Sequence, residues 1–404
     1  MTLPELMPDL LREAATAAPS GSPDPTLWDR GRRYHRRRRA GTVLVVVVTL
    51  VLLGSLLGYD RHRARPIEPA GAEGAAAVPT RVWTPDPWLP STDDEGPLGR
   101  LAIVMRSRQN TWFGSRDGVV GVSATTGEYR FLDLPDLVGT AGFDGPVLSP
   151  DGRSIAYWTT GKTTGSPNSE SGAIAGVAVY DAATGALQRH PIETEHGVRP
   201  ETLTWAGDDA VLVAYGQLRG GDDDSEMSRS SSSSAAALYR WRPGASGFQT
   251  VWRAGAGPKA GPSAAPQVDL AEVEAASATT AVSSADRGWN VLDLDDGTVR
   301  TVPGSLPGYA QVAAISADGS LLATLAGSRN PGRLAWSPLT PGARSTTVPG
   351  RADVRRVVGF LDARTVLIER LGVWGQQYRE PDRHGFTSID LRTGERHEIG
   401  RAHV

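Results

Sequence analysis

Ser149-Pro150-Asp151-Gly152-Arg153-Ser154-Ile155-Ala156-Tyr157-Trp158 opens on a tight turn and runs into an apolar stretch with strand-forming residues. The phrase returns as Ser316-Ala317-Asp318-Gly319-Ser320-Leu321-Leu322-Ala323-Thr324-Leu325. Looser versions begin at Trp205, with Asp208 in the turn, and at Phe360, with Asp362 in the turn. A second phrase also recurs, a hairpin centred on Thr-Gly or Asp-Gly. It occurs at Thr126-Gly127, Thr184-Gly185, Asp296-Gly297 and Thr393-Gly394. Glycine supplies the positive φ that such tight turns demand.

Pairing the two phrases divides the chain into units near 98–135, 145–195, 200–253, 269–303, 310–350 and 353–400. A repeat of about forty to fifty residues with several strands in each is the signature of a β-propeller. The spacing predicts an all-β, six-bladed propeller over 98–404. The first unit has no clear Asp-Gly opening, which keeps five or seven blades open, and a closing strand is expected from the segment before Leu98.

Ser149-Pro150-Asp151-Gly152, an apolar strand and then Tyr180-Asp181-x-x-Thr184-Gly185 resemble the repeats of TolB-like six-bladed propellers and, more broadly, of WD40-like propellers. The resemblance covers about 98 to 400 and implies a fold, not an activity. No Trp-Asp pair closes the strands and no Gly-His opens them, so ordinary WD40 repeats fit less well. Quinone-dependent propeller enzymes also carry Asp-x-x-Thr-Gly turns, but with a tryptophan four residues after the glycine. Here those positions are Phe131, Arg189, Thr301 and Glu398, which argues against that class.

Upstream, Arg36 to Arg39 stand against a nearly unbroken apolar run. Ala40 to Tyr59 would be about 30 Å long as a helix, the thickness of a bilayer's hydrocarbon core. Residues 1–41 carry a net charge of +3, residues 42–100 a net of −2 and the remainder −4. The positive-inside bias therefore predicts a cytoplasmic tail (1–39), a single transmembrane helix (40–59), an extracytoplasmic Pro/Ala-rich linker (60–97) and an external propeller at the cell membrane. A cleaved signal peptide is the rival, but Ser55-Leu56-Leu57-Gly58-Tyr59 lacks small residues at both positions a peptidase needs. Arg36–Arg39 beside a span suit anionic headgroups, and the mildly acidic domain has no footprint for nucleic acid. Only Lys162 and Lys259 are lysines. With abundant Ala, Gly, Pro and Arg, this looks like the bias of a GC-rich genome, as in actinobacteria.

The chain has no cysteine, which removes thiol catalysis, thiolate metal sites and disulfides together. Gly161-Lys162-Thr163 lacks the earlier glycine of a phosphate loop, since that position is Ala156. Asp222, Asp223 and Asp224 fall in a serine-rich insertion and read as solvating charges. Asp293-Leu294-Asp295-Asp296-Gly297 lacks the distant glutamate of a calcium loop and reads as a hairpin. No Gly-x-Ser-x-Gly motif announces a hydrolase domain. His190, His196, His384 and His397 show no ligand spacing and read as surface or turn residues. No cofactor and no catalytic residue is expected.

Most of the tryptophans are expected in packing between blades. Trp374, in Gly372-Val373-Trp374-Gly375-Gln376-Gln377-Tyr378, is flanked by glycines and is the candidate for ligand contact. Trp83 and Trp88, among prolines, are candidates for docking the linker onto the domain. In the tail, Leu6, Leu10 and Leu11 fall near one face of a short helix, and Trp28 stands by the basic run. The whole tail resembles the N-termini of actinobacterial single-pass proteins encoded beside extracytoplasmic-function sigma factors. That resemblance implies a sigma factor as cytoplasmic partner, held through Leu6, Leu10, Leu11 and Trp28. The leading expectation is a non-catalytic extracytoplasmic scaffold that binds protein, peptide or glycan. A transmembrane sensor or regulator and a metal-dependent hydrolase or lactonase are the alternatives.

Overall fold

The computed structural model describes residues 85–111, 114–138, 145–164, 173–218, 237–254, 270, 272–285, 288–303, 313–326, 333–340, 342–349, 354–370 and 385–401. The expected transmembrane helix and cytoplasmic tail lie outside these residues. Among the described residues no helix is long and apolar enough to cross a membrane.

Six antiparallel sheets follow one another along the chain. The first holds β1 (Leu101–Thr111), β2 (Gly114–Ser123) and β3 (Tyr129–Phe131). The second holds β4 (Val147–Leu148), β5 (Ser154–Thr160), β6 (Ile174–Asp181) and β7 (Leu187–Pro191). The third has β8 (Val198–Ala206), β9 (Ala210–Gln217), β10 (Ala237–Trp241) and β11 (Gln249–Arg253). The fourth has β12 (Ala275–Ala276), β13 (Thr280–Ala285), β14 (Gly288–Asp293) and β15 (Val299–Pro303). The fifth has β16 (Ala314–Ile315), β17 (Leu321–Ala326), β18 (Arg333–Pro338) and β19 (Thr346–Thr347). The sixth has β20 (Val354–Phe360), β21 (Thr365–Arg370), β22 (Gly385–Asp390) and β23 (Arg396–Arg401). Each sequence unit corresponds to one sheet.

Side chains alternate across a strand, so a sheet sandwiched between two others buries both its faces. In β5, Ile155 and Tyr157 pack toward the first sheet, while Ala156 and Trp158 pack toward the third. The same division runs around the molecule and yields one apolar cluster in each of six seams. The last joins Leu367, Leu361 and Phe386 of the sixth sheet to Ile103, Val122 and Tyr129 of the first, which closes the ring. The first strands β4, β8, β12, β16 and β20 touch in series and so surround the axis. The fold is an all-β six-bladed propeller.

Blade 1 accounts for its own irregular sequence. In blades 2, 4, 5 and 6 the residue after the third strand donates its N–H to the residue just before the second strand. These bonds are Ala182 to Arg153, Leu294 to Thr279, Leu339 to Ser320 and Leu391 to Arg364. In blade 1 the matching bond runs from Ala124 to Arg100. β1 is therefore a second strand, and Gly99 (φ 77°) stands where Gly152 (φ 74°) stands in blade 2. Gly152 also sits so close to Leu101 that any side chain there would press on its carbonyl oxygen.

The chain enters blade 1 from its outer edge. A short helix, α1 (Thr92–Glu95), follows Ser91, whose N–H and hydroxyl both donate to the Asp94 carboxylate. Those two bonds, the backbone one foremost, hold the Asp94 carboxyl below its usual range. Phe131 N–H donates to Pro90 O, Asp133 N–H to Thr92 Oγ1, and Arg130 Nη1 to the carbonyls of Glu95 and Gly96. The described linker thus gives a single bridge at Ser91 rather than a closing strand, and the last blade is complete without it. Trp88 is 54 % exposed, and the bonds to Pro90, Thr92, Glu95 and Gly96 dock this segment onto the blade.

Candidate functional site

Strand direction sorts every connection onto one of two faces. Each first strand runs down to a tight turn, each second strand back up, and each third strand down again to a second turn, a Thr-Gly or Asp-Gly hairpin in blades 1, 2, 4 and 6. Both kinds of tight turn therefore share one face, and they satisfy themselves. Asp181 Oδ1 accepts from the N–H groups of Ala183 and Thr184 at 2.8 Å each. Asp390 Oδ1 accepts likewise from Arg392 and Thr393, and these bonds, with Thr393 foremost, hold its carboxyl low. Asp293 does the same with Asp295 and Asp296, which makes that stretch the hairpin its sequence suggests. Ser149 and Ser316 hydroxyls donate to Asp151 and Asp318 at 2.6 and 2.5 Å.

The opposite face takes every connection between second and third strands and every crossing from one blade to the next. These include the segments after Thr164, Gln217 and Arg253 that hold the polar and Gly/Ala/Pro-rich insertions. Variable connections on a rigid frame are where binding residues concentrate. Trp374 lies outside the described residues, but its segment joins β21 to β22, whose ends Arg370 and Gly385 pair on this loop face. Leu6, Leu10, Leu11 and Trp28 also lie outside the described residues, so the structure brings none of the expected site residues together.

Near the axis on the loop-face side, the structure places polar groups that sequence reasoning did not single out. Glu274 precedes β12, its N–H bonded to Val282 O, while Val273 N–H donates to Thr202 Oγ1 of β8 at 2.9 Å. Burial, with a smaller push from the Glu272 charge, raises the Glu274 carboxyl to about 7. Near neutral pH it can therefore either donate or accept a hydrogen bond. Arg106 of β1 presses its guanidinium against Gly145, where a Cβ would lie only 2.7 Å from Nη2. Among the described residues no three His, Asp or Glu side chains are grouped as metal ligands.

Toward the rim between blades 2 and 3 lies an aromatic group. His190 meets Phe248 edge-on at 4.1 Å and stacks with Trp241 at 5.7 Å. Tyr239 stacks with Phe248 at 5.5 Å and with Tyr215 at 5.6 Å. Burial lowers the His190 pKa, and burial followed by Tyr239 pushes Tyr215 up to about 12. His190 is thus a half-buried packing residue rather than the surface histidine its sequence suggests, whereas His397 stays exposed. Trp158, Trp205, Trp241 and Trp289 are buried in the seams, as expected of them.

No family model matches the chain, and no curated protein does. Among solved structures it is similar to TolB from Acinetobacter baumannii, with a TM-score of 0.41 and 13% identity over 76% of this chain. That match spans 65% of the Acinetobacter protein's length. It is also similar to an oligogalacturonate lyase in complex with manganese, with a TM-score of 0.44 and 11% identity over 80% of this chain and 77% of the other. The likeness is too distant to carry any argument, and the propeller rests on the sheet order and seams described above.

Proposed function

We propose that the protein is a non-catalytic, membrane-anchored scaffold whose propeller binds a protein, peptide or glycan outside the cell through its loop face. One observation carries the reading: the two faces differ in kind. The turn face is a set of short hairpins whose side chains are consumed in holding their own backbones. The loop face collects the long connections, the axial Glu274 and the segment that contains Trp374. A ring of rigid sheets with its long connections on one face suits recognition, since the frame loses little entropy on binding. The apolar run at 40–59 and Arg36–Arg39 supply the anchor in this reading.

The test is site-specific photo-crosslinking of the full chain in its own cells. Probes replace Thr164 or Gln217 on the loop face and Arg153 or Asp318 on the turn face, all exposed positions. Adducts to one defined molecule from Thr164 or Gln217, with none from Arg153 or Asp318, are expected. Adducts confined to the turn face, or turnover of a small substrate by the purified chain, would overturn the reading.

A further inference from the structure

We propose that residues 90–96 form a pH-responsive clasp on blade 1, in which the Asp133 carboxyl changes partners. In acid it holds Asp93 of the clasp, and near neutral pH it turns to Arg116 of β2. The clasp is a row of bonds along the outer edge of the blade. Phe131 N–H donates to Pro90 O and Asp133 N–H to Thr92 Oγ1, each at 2.9 Å, and Arg130 Nη1 donates to the carbonyls of Glu95 and Gly96. Asp93 directly follows Thr92, and its carboxyl shares a hydrogen bond with that of Asp133. Two carboxyl groups can share such a bond only while one of them keeps a proton.

Strand register brings the rival partner to the same place. Phe131 pairs with Val120, and Leu132 N–H donates to Val119 O at 2.7 Å. Asp133 therefore comes level with Gly118, and alternation puts Arg116 on the same side of the sheet. Gly118 stands between them without a side chain, and a Cβ there would lie 2.8 Å from Phe131 Cδ1. Arg116 donates its Nε to Gln109 Oε1 at 2.9 Å, which uses one of five guanidinium donors. Burial first, then the bond to Asp93 and its charge, raises the Asp133 pKa, while Arg116 pulls it down.

The sign follows from which form grips the clasp. Proton uptake by the carboxyl pair favours the docked clasp, so docking weakens as pH rises through the raised Asp133 pKa. Above it Asp93 and Asp133 repel, and the Asp133 charge is drawn to Arg116. The other charges nearby act differently. Asp94 is held by Ser91, and Asp136 by Arg189 at 2.7 Å. The pairs of Arg130 with Glu95 and Glu128 need ionised glutamates and so oppose the switch, but both glutamates are about half exposed, where such pairs contribute little. The proposal stands apart from the scaffold reading, since it concerns how blade 1 holds the chain that leads into it.

Amide hydrogen exchange on the full chain between about pH 4 and pH 7, corrected for the intrinsic rate, tests it. The Phe131 and Asp133 amides should lose protection relative to those of β9 as pH rises. In D133N the side-chain amide donates to Asp93 at every pH, so this loss should vanish, and the glutamate pairs cancel in the comparison. R116Q alters an exposed residue and removes the pull on ionised Asp133, so it should move the loss to higher pH. The same pH response in D133N as in the unaltered protein would overturn the proposal. A loss that stays at the same pH in R116Q would overturn the exchange of partners.

Discussion

Glu274 is the residue whose environment departs furthest from what its neighbours in sequence suggest. Burial first, and Glu272 second, lift its pKa from 4.5 to about 7. Below pH 4.5 it is protonated in the folded and the unfolded chain alike and contributes no penalty. As pH rises toward 7 the unfolded chain ionises freely and the folded chain resists, so stability falls across that window and levels off above it. Glu274→Gln should abolish this fall. Discounted for the part of the group that stays in water, the gain at pH 8 is on the order of 2 kcal/mol, with no gain at pH 4. Urea unfolding of both proteins at several pH values measures it, and parallel stability curves would refute it. Asp296, Asp318, Asp362 and Asp390 in the turns shift the other way, so only the difference between the two proteins is diagnostic. None of this was legible in the sequence, because the Glu274 site is completed by Thr202, 71 positions before its partner Val273. The turn residues were legible because a hairpin of that kind is local: Asp390, Thr393 and Gly394 satisfy one another within five residues.

At the scale of the element, the seams decide how the ring opens. Five seams bury broad clusters, the one between blades 3 and 4 holding nine buried residues from Ala206 to Leu294. Among the described residues the seam between the last blade and the first buries three, Ile103, Val122 and Leu367. Among the described residues no strand is exchanged across it, and apolar contact holds the two blades together. Leu367→Ala should cost about 2–4 kcal/mol, the usual range for a buried leucine that leaves a cavity. Its signature should be local: faster exchange in β1–β3 and β20–β23 with β9 and β13 unchanged. Leu212→Ala, in the broad seam, should instead speed exchange in blades 3 and 4 on both sides of it. Equal loosening of every blade by Leu367→Ala would show that the ring has no preferred opening. The number of blades was readable because the two turn phrases recur at intervals of about forty to fifty residues. The place of β1 within blade 1 was not, since its sequence has no Asp-Gly opening before Arg100. That absence became informative once Ala124 and Arg100 identified β1 as a second strand.

For the whole molecule, the unequal charge of its segments predicts an orientation. Arg30, Arg32, Arg33 and Arg36–Arg39 precede the apolar run, and only Arg61, Arg63 and Arg65 follow it closely. Translocating the first cluster would carry the larger positive charge across the membrane, so the tail should stay inside and the propeller should be exported. A chain exported without cysteine must hold itself by burial and strand pairing, and the six seams provide both. The same lack of cysteine makes the orientation easy to read, because one introduced thiol is the only thiol present. In intact cells, a membrane-impermeant maleimide should label Arg153→Cys, whose side chain is 73% exposed on the turn face. It should leave Ser20→Cys in the tail unlabelled until the membrane is permeabilised. Replacing Arg36–Arg39 by glutamine should weaken the asymmetry and let part of the population label at Ser20→Cys. Labelling of Ser20→Cys but not Arg153→Cys in intact cells would reverse the orientation. Labelling of neither, with both reactive after lysis, would place the propeller inside and remove the premise that its loop face meets an external ligand.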